Sequence, residues 1–420
     1  MSETTSGTPS TLRAINDRAA LEVLLAQGPL TRSELASITG MSKPTASLLL
    51  SRLQESGLVV LEGIRQGRPG RTAEFYGVNP AAAHVAAVDV TAARIDVRVA
   101  ELTGRVIGEN RLRTPGRAAG DLVDRLRTAI GGACEPAGID VAALNRVVIG
   151  VPGAVDPATG MLGFAAHLPG WRVPRLVETL TEGLGTRVEV ENDVNLAAHA
   201  EQTSGVARGA DSFALLWVAD GIGMALVIGG RLHRGATGGA GEVGYLPVPG
   251  APTAREVGRN ANHGLQALTG GPAVHKILRA AGFRGTDSAT AVRAAAEALG
   301  ACLPTDRATV DDRTAFSDRA AFDDRAARAE DALREVAARV AVGLASVVAV
   351  VDPALFVLTG AVMHAGGEPL RSYVQTELHA LVRARTRVVL SALSGQSVLE
   401  GALSLALRQT QDELFAATLP

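Results

Sequence analysis

The alternation of Val-rich and Ala-rich segments over residues 84–420 is the feature that most limits the folds open to this chain. Short Val-rich runs are typical of β-strands, whereas longer Ala- and Leu-rich runs are typical of helices. Alternating strands and helices indicate an α/β domain. Aromatic residues make up only 3% of the 420 residues, so we expect Ala, Val and Leu to form the cores.

Residues 11–79 follow another pattern, with three short helices and then a hairpin. Gly40 lies in a tight turn between the second helix and a third helix that starts at Ser42. The segments 58–61 and 73–76 are rich in apolar and aromatic residues and predict two strands. Two helices joined by a tight turn and followed by a hairpin are typical of a winged helix-turn-helix domain.

Local signals define the first two helices of this domain. Thr31 and Glu34 have the spacing of a capping box at the start of the second helix. Ile15 and Ile38 are among the positions predicted to face the core from the first and second helices. Residues 1–10 are rich in Ser, Thr and Gly without periodicity, and we expect them to form a disordered tail.

The third helix and the hairpin carry groups suited to nucleic acid. Short hydrogen-bonding side chains cluster at the N-terminal end of this helix, which is the end that enters a major groove. Residues 40–73 contain five basic and two acidic side chains, and the arginines around Gly67–Pro69 suit a narrow minor groove. The predicted DNA contacts are Ser42, Lys43, Pro44, Thr45, Ser47, Arg52, Arg65, Arg68 and Arg71. The alternative is a plain three-helix core or a protein-interaction module with a solvated charged loop.

Other features of the sequence exclude several classes of protein. Cys134 and Cys302 are far apart and belong to no CxxC motif, which excludes a disulfide scaffold and a Cys-based zinc site. The N-terminal residues lack the apolar segment of a secretory signal. The apolar run 340–351 is too short to span a bilayer. We therefore expect a soluble cytoplasmic protein with no membrane partner and no cofactor.

Three glycine-containing segments are candidate ligand sites. Residues 148–153 run from a strand into a Gly-Pro turn, and residues 191–195 join a strand to a helix. Residues 238–245 form a glycine run that contains one carboxylate. The alternatives are simple helix capping by Asn192 and Asp193 in the second segment, and a flexible turn in the third. Each signal is weak alone, but their order and spacing are informative.

In order along the chain, the helix-turn-helix pattern is followed by PGAVD, ENDVNLAAHAE, DGIG and GAGEVGY. This series resembles the repressor branch of the ROK family, which is named for repressors, open reading frames and sugar kinases. The resemblance covers nearly the whole chain. It implies that residues 84–420 form a two-lobed, actin-like sugar-kinase fold of the ribonuclease H-like type, which serves as the effector and dimerisation domain. It also implies a sugar in the cleft between the lobes, contacted by Asn192, Asp193 and Glu242, with Asp193 at the position of the kinases' catalytic base.

The sequence departs from the kinases of the family at both phosphate loops. The family motif DxGGT corresponds to residues 89–93, where both glycines are absent and the backbone approaches phosphate less freely. The family motif GTGIG corresponds to residues 219–223, where Asp220 places a carboxylate near an anionic phosphate. We therefore predict that the chain is not an enzyme.

The sugar and zinc positions of the family are altered as well. The resemblance places one His and three Cys zinc ligands at Tyr245, Val257, Arg259 and Gly264, which do not form a zinc donor set. Gln266 replaces a Glu that grips sugar hydroxyls, and His167 replaces an Asn. The predicted effector contacts are Asn192, Asp193, Glu242, Tyr245 and Gln266, with no metal.

These patterns predict a DNA-binding transcriptional regulator that represses its targets. Its partners would be double-stranded operator DNA, a sugar or sugar-phosphate effector, and a second copy of the chain in a homodimer or a dimer of dimers. Two alternatives stay open. One is an active ROK sugar kinase with a fused DNA-binding head, and the other is a ligand-independent regulator that uses the ROK domain only to dimerise.

Overall fold

The computed structural model describes residues 9–66, 72–114, 121–163, 168, 170–258, 261–300, 314–393 and 395–416. The chain divides into two compact units. The first unit comprises Met1–Val151, Gly160–Glu191 and Ala402–Pro420, and the second comprises Pro152–Thr159 and Asn192–Gly401. Among the described residues, no helix is both long enough and apolar enough to cross a membrane.

The N-terminal part of the first unit is a winged helix-turn-helix, as predicted, and is called the head below. Its helices are α1 (Pro9–Gln27), α2 (Arg32–Thr39) and α3 (Lys43–Glu55). Its antiparallel sheet has the order β1 (Leu30–Thr31), β3 (Thr72–Val78) and β2 (Val59–Gln66). The predicted capping box is present at the start of α2, where Thr31 Oγ1 accepts from the Glu34 amide at 3.2 Å and Glu34 Oε2 accepts from the Thr31 amide at 2.8 Å.

The buried face of α1 only partly matches the predicted one. Ile15 is 58% exposed and Ile38 on α2 is 45% exposed, so their prediction as core residues is wrong. The buried positions of α1 include Ala20 and Leu24, which the apolar pattern also predicts, together with Asp17 and Leu21, and the four have the i, i+3, i+4, i+7 spacing of one helix face. Because the buried stripe includes the charged residue Asp17, apolar periodicity alone does not identify which face of α1 is buried.

A five-stranded sheet forms the centre of the rest of the first unit. Its order is β10 (Arg187–Asn192), β7 (Arg146–Val151), β4 (His84–Val90), β5 (Arg94–Glu101) and β6 (Val106–Arg113). Strand β4 pairs antiparallel with β5 and parallel with β7. Helices α4 (Leu122–Cys134) and α5 (Leu176–Leu184) belong to this unit, and a short pair is formed by β8 (Ala154–Val155) and β9 (Leu162–Gly163).

The second unit contains a sheet with the same topology. Its order is β13 (Arg231–Leu232), β12 (Ile222–Ile228), β11 (Phe213–Val218), β14 (Leu355–Thr359) and β15 (Arg387–Leu390). In both sheets the first strand is central, pairs antiparallel with the second strand and pairs parallel with the fourth. The two units therefore repeat one architecture, although the sequence shows no internal repeat.

Helices complete the second unit. They are α6 (Asp193–Thr203), α7 (Ala254–Val257), α8 (Gly264–Thr269), α9 (Gly271–Ala280), α10 (Ser288–Gly300), α11 (Thr314–Val351) and α12 (Ala361–Leu381). The sequence predicts a solvated insertion or a surface helix over residues 304–330, followed by a helix from Glu330. The structure instead starts one continuous helix at Thr314, and residues 301–313 lie outside the described residues.

The last helix, α13 (Ser397–Ala416), belongs to the second unit as far as Gly401 and to the first unit from Ala402. Near its end, Phe415 is buried in the core of the head together with Leu24 of α1 and Leu102 of the first unit. The Gln411 side chain donates to the Leu102 carbonyl at 3.0 Å. The end of α13 thus stabilises the contact between the head and the rest of the first unit.

Candidate functional site

The first turn of α3 presents most of the predicted DNA contacts. Ser42 caps the helix, since its Oγ accepts from the Thr45 amide at 3.3 Å and lies 2.8 Å from Thr45 Oγ1. Lys43, Pro44 and Thr45 are exposed, and Ser47 is half-buried. This capped turn holds its polar side chains in a defined geometry at the end of the helix that meets base edges in helix-turn-helix proteins.

Arg52, by contrast, forms an ion pair inside the head. Its guanidinium contacts both carboxylate oxygens of Asp17, with Nε 3.2 Å from Oδ2, and Asp17 is only 1% exposed. This pair joins α1 to α3, so a DNA contact by Arg52 stays a prediction. Asp17 itself was not singled out from the sequence.

The predicted wing residues are less fully placed. Arg65 belongs to β2, whereas Arg68 and Arg71 lie outside the described residues. Their contacts with DNA therefore stay predictions from the sequence.

The candidate ligand site begins where β10 ends. Asn192 Oδ1 accepts from the Val194 and Asn195 amides at 2.9 and 3.1 Å, so Asn192 caps α6 as the alternative interpretation held. Its Nδ2 also donates to the Gly153 carbonyl at 3.1 Å. Asp193 is the first residue of α6, and its Oδ1 accepts from the Val194 amide at 2.8 Å. Both side chains are half-buried, with carboxylate and amide oxygens that suit sugar hydroxyl groups.

The glycine run before Glu242 is fixed by close backbone contact. Gly241 has a φ of +93°, and a Cβ there would lie 1.9 Å from the Met224 carbonyl oxygen. Its carbonyl accepts from the Met224 amide at 3.0 Å. This geometry requires glycine, so the segment is not a merely flexible turn. Burial raises the pKa of Glu242, and burial together with the Glu242 charge raises the pKa of Tyr245.

The three glycine-containing segments meet in the second unit. Gly153 accepts the hydrogen bond from Asn192, while a Cβ on Gly238 would lie 2.9 Å from the Val155 carbonyl oxygen. The segment 153–155 is therefore contacted by the segment of Asn192 and also by the glycine run that leads to Glu242. The sequence motifs thus contact one another through Gly153, Val155, Asn192 and Gly238, which all belong to the second unit.

The Gln266 side chain holds a neighbouring loop by hydrogen bonds to its backbone. Its Oε1 accepts from the Ile222 amide at 2.8 Å, and its Nε2 donates to the Asp220 carbonyl at 3.1 Å. The Gly271 amide donates to the same Asp220 carbonyl at 3.1 Å. The loop that corresponds to the kinases' second phosphate loop is held by these bonds, which occupy the Ile222 amide. Effector binding by Gln266 stays a prediction.

The loop at the position of DxGGT also satisfies its own amides. Thr91 Oγ1 accepts from the Ala93 and Arg94 amides at 3.3 and 3.1 Å, and the Thr91 amide donates to the Arg94 carbonyl at 2.9 Å. A phosphate would have to compete for these donors. Burial raises the pKa of Asp89 on β4 to about 6, an effect that Arg94 opposes and Asp96 strengthens.

The residues at the family's zinc positions do not fit a zinc ion. Tyr245 packs its ring against His263 with centroids 5.2 Å apart, and Val257 and Gly264 carry no donor side chain. Arg259 and His167 lie outside the described residues. In the part of the chain that the structure describes, no three His, Cys, Asp or Glu side chains are grouped to hold a metal.

Backbone contacts hold the loop that carries the family's zinc positions. Gly264 has a φ of +62°, and its Cβ would lie 2.8 Å from the carbonyl oxygens of Gly244 and Leu246. The Leu265 amide donates to the Leu246 carbonyl at 2.9 Å. His263, which the sequence did not single out, adds its ring contact with Tyr245.

Comparison with known proteins agrees with these features. Residues 85–409 match the profile of the ROK family, and residues 15–69 match that of the MarR family. The xylose repressor of Bacillus subtilis is 25% identical over 242 residues, and this match covers 56% of this chain and 61% of that protein. The glucokinase of Streptomyces coelicolor is 27% identical over 323 residues, which cover 76% of this chain and 96% of that protein.

Solved structures agree as well. A ROK family transcriptional regulator described as a homologue of the Escherichia coli MLC protein has a TM-score of 0.67 at 18% identity, which covers 97% of this chain and 99% of that chain. The ROK hexokinase of Thermus thermophilus has a TM-score of 0.59 at 27% identity, covering 78% and 99%. Since the family profile spans most of the sequence, the chain belongs to the ROK family.

Proposed function

We propose that this protein is a DNA-binding transcriptional repressor whose kinase-like units sense a sugar or sugar-derived ligand without transferring phosphate. One observation favours a sensor over a kinase: in both loops at the phosphate-binding positions, backbone amides already donate hydrogen bonds to side chains of the protein. The Thr91 and Gln266 side chains accept from amides that a nucleotide phosphate would need. A MarR-type head in front of these units supplies the DNA-binding function.

The ligand is a polyol held by Asn192, Asp193 and Glu242. Asn192 contacts Gly153, and Gly238, in the glycine run that leads to Glu242, contacts the neighbouring Val155. Carboxylate and amide oxygens accept hydrogen bonds from hydroxyl groups, and the raised pKa of Glu242 reflects a site that is partly withdrawn from water.

Ligand binding changes DNA affinity by shifting a conformational equilibrium, since a ligand favours the state that it binds more tightly. Helix α13 offers a covalent route for this coupling. The chain passes from the second unit to the first within this helix, and Phe415 near its end is buried in the core of the head.

The acting form is a symmetric homodimer or a dimer of dimers. One winged head contacts a small area of DNA, whereas two heads related by a twofold axis bind two half-sites. Sedimentation at micromolar concentration is expected to give at least a dimer. A monomer that protects a palindromic site from cleavage would contradict this assignment.

Replacing Lys43 with alanine tests the DNA-binding function. Lys43 is exposed at the first position of α3. A positive charge near the N-terminus of a helix interacts unfavourably with the helix dipole, so removing it leaves folding intact. We expect a changed preference among DNA sequences, because Lys43 lies at the end of α3 that meets base edges. The measurement compares affinities for DNA fragments selected by the wild-type protein and for their single-base variants. The Glu22→Ala variant, altered on the exposed face of α1, serves as the control.

A coupled assay with ATP and a hexose panel tests the absence of phosphoryl transfer. We expect rates at the background level for the wild type, because the loop amides are already bonded. Phosphorylation that depends on Asp193 would instead support the rival function of a sugar kinase with a fused head. The similarity to glucokinase is the reason for testing this alternative.

A further inference from the structure

Leu48 is the most exposed of the large apolar residues that the structure describes in the head. It lies in the middle of α3 and is 71% exposed, whereas the adjacent Leu49 and Leu50 are buried in the core. Three consecutive leucines on one helix cannot all face the same core, because successive residues are about 100° apart. The exposed leucine is therefore a feature of the outer face of this helix.

The outer face of α3 around Leu48 is uncharged. Pro44, Thr45 and Ser51 lie three or four residues from Leu48, are exposed, and share its face of the helix. No charged residue lies in the sequence between Lys43 and Arg52.

Arg52 is engaged by Asp17 of α1, and so its guanidinium is already bonded within the head. The middle of the outer face therefore offers short polar groups and one aliphatic side chain.

An aliphatic side chain has one specific partner in the major groove. Bases present donors, acceptors and a single apolar group there, the C5-methyl of thymine. Contact between Leu48 and this methyl removes apolar surface of both from water, which is favourable. Because α3 is the second helix of the helix-turn-helix pair, its exposed face is the one that lies in the groove.

We propose that Leu48 is a specificity-determining residue that contacts the C5-methyl of one thymine in each operator half-site. This inference rests on the proposed DNA-binding function and adds the base chemistry that α3 reads. Thr45 and Ser47 supply the polar contacts beside it.

The experiment removes the methyl from the DNA and the leucine from the protein. Duplexes are selected from a random library by the full-length wild-type protein. Each thymine of the half-site is then replaced with uracil, which lacks only the C5-methyl group. For the wild type we expect one position where uracil lowers affinity by about three- to tenfold, and other positions with little effect.

The Leu48→Ala variant is expected to bind the thymine duplex about three- to tenfold more weakly and to lose the difference between thymine and uracil at that position. The Leu48→Met variant, which keeps an aliphatic chain of similar length, is expected to retain the difference. Ile15→Ala is the matched control, since Ile15 is 58% exposed on α1. Because Leu48 is exposed, these variants fold, which circular dichroism checks.

Two outcomes overturn the inference in distinguishable ways. If the wild type selects a specific sequence but the effect of uracil is the same in Leu48→Ala, the assignment of Leu48 is wrong while the DNA-binding function stands. If no sequence is enriched by the wild type, the proposed function fails, and the assignment of Leu48 fails with it.

Discussion

Replacing Arg52 with alanine is expected to destabilise the head by about 1 to 3 kcal/mol. Asp17 is buried at 1% exposure, and Arg52 supplies the guanidinium that contacts both of its carboxylate oxygens. Without Arg52, the buried carboxylate loses both of these hydrogen bonds, which costs more than the loss of an exposed ion pair. Urea unfolding of the full chain, with hydrogen exchange of α1 and α3, measures the change.

Two further variants separate the buried charge from other effects of the substitution. Glu22→Ala removes an exposed partner of Arg18 on the same helix and is expected to change stability by less than about 1 kcal/mol. The double variant Asp17→Ala with Arg52→Ala is expected to recover part of the loss, because no unpaired charge remains. A loss below about 1 kcal/mol in Arg52→Ala alone would contradict the account of this pair.

Replacing Asp89 with asparagine is expected to stabilise the protein near neutral pH by about 2 to 3 kcal/mol. Burial raises the pKa of Asp89 from 3.8 to about 6, so the folded state binds this proton more tightly than the unfolded state. The wild type therefore loses stability as pH rises from about 4 to about 6, and the asparagine variant lacks this loss. Urea unfolding of both proteins between pH 4 and pH 8 gives the difference.

The neighbouring Asp96 provides a control of opposite sign. Burial alone would raise the pKa of Asp96, but hydrogen bonds from Arg111 and Arg94 lower it overall. Its contribution to stability is present at neutral pH and is lost as pH falls through its folded pKa. Asp96→Asn is therefore expected to destabilise the protein at neutral pH and to have little effect in acid. An Asp89→Asn variant that is less stable than the wild type at pH 7.5 would contradict the assignment.

Much of the fold could be predicted because its signals are local. The capping box of Thr31 and Glu34, the turn at Gly40 and the Val-rich strands such as His84–Val90 each depend on neighbours in sequence. The structure confirms the winged helix-turn-helix and the two-lobed α/β fold from these signals. The motifs around Asn192 were also sufficient to indicate the region where the three segments meet.

Other features depend on contacts distant in sequence, which local patterns do not contain. Asp17 is buried and hydrogen-bonded to Arg52, 35 residues away, and Ile15 lies on the exposed side of α1. Gln266 is occupied by a loop 44 residues away, which no motif indicated. The shared topology of the two sheets arises from strand pairing and not from repeated sequence.

We propose that a small polyol bound in the second unit controls DNA binding by the head without phosphoryl transfer. Fluorescence anisotropy of a labelled, selected operator measures this directly, with the full chain and a panel of sugars and sugar phosphates. We predict that at least one sugar lowers the operator affinity of the wild type by about tenfold, in the range typical of allosteric coupling.

In the same titration, Asp193→Asn and Glu242→Gln proteins should bind the operator as the wild type does and should not respond to that sugar. The response of the wild type should also be the same with and without ATP. A wild-type operator affinity that no sugar changes, variants that respond normally, or a response that requires ATP would each contradict control of DNA binding by a sugar at this site.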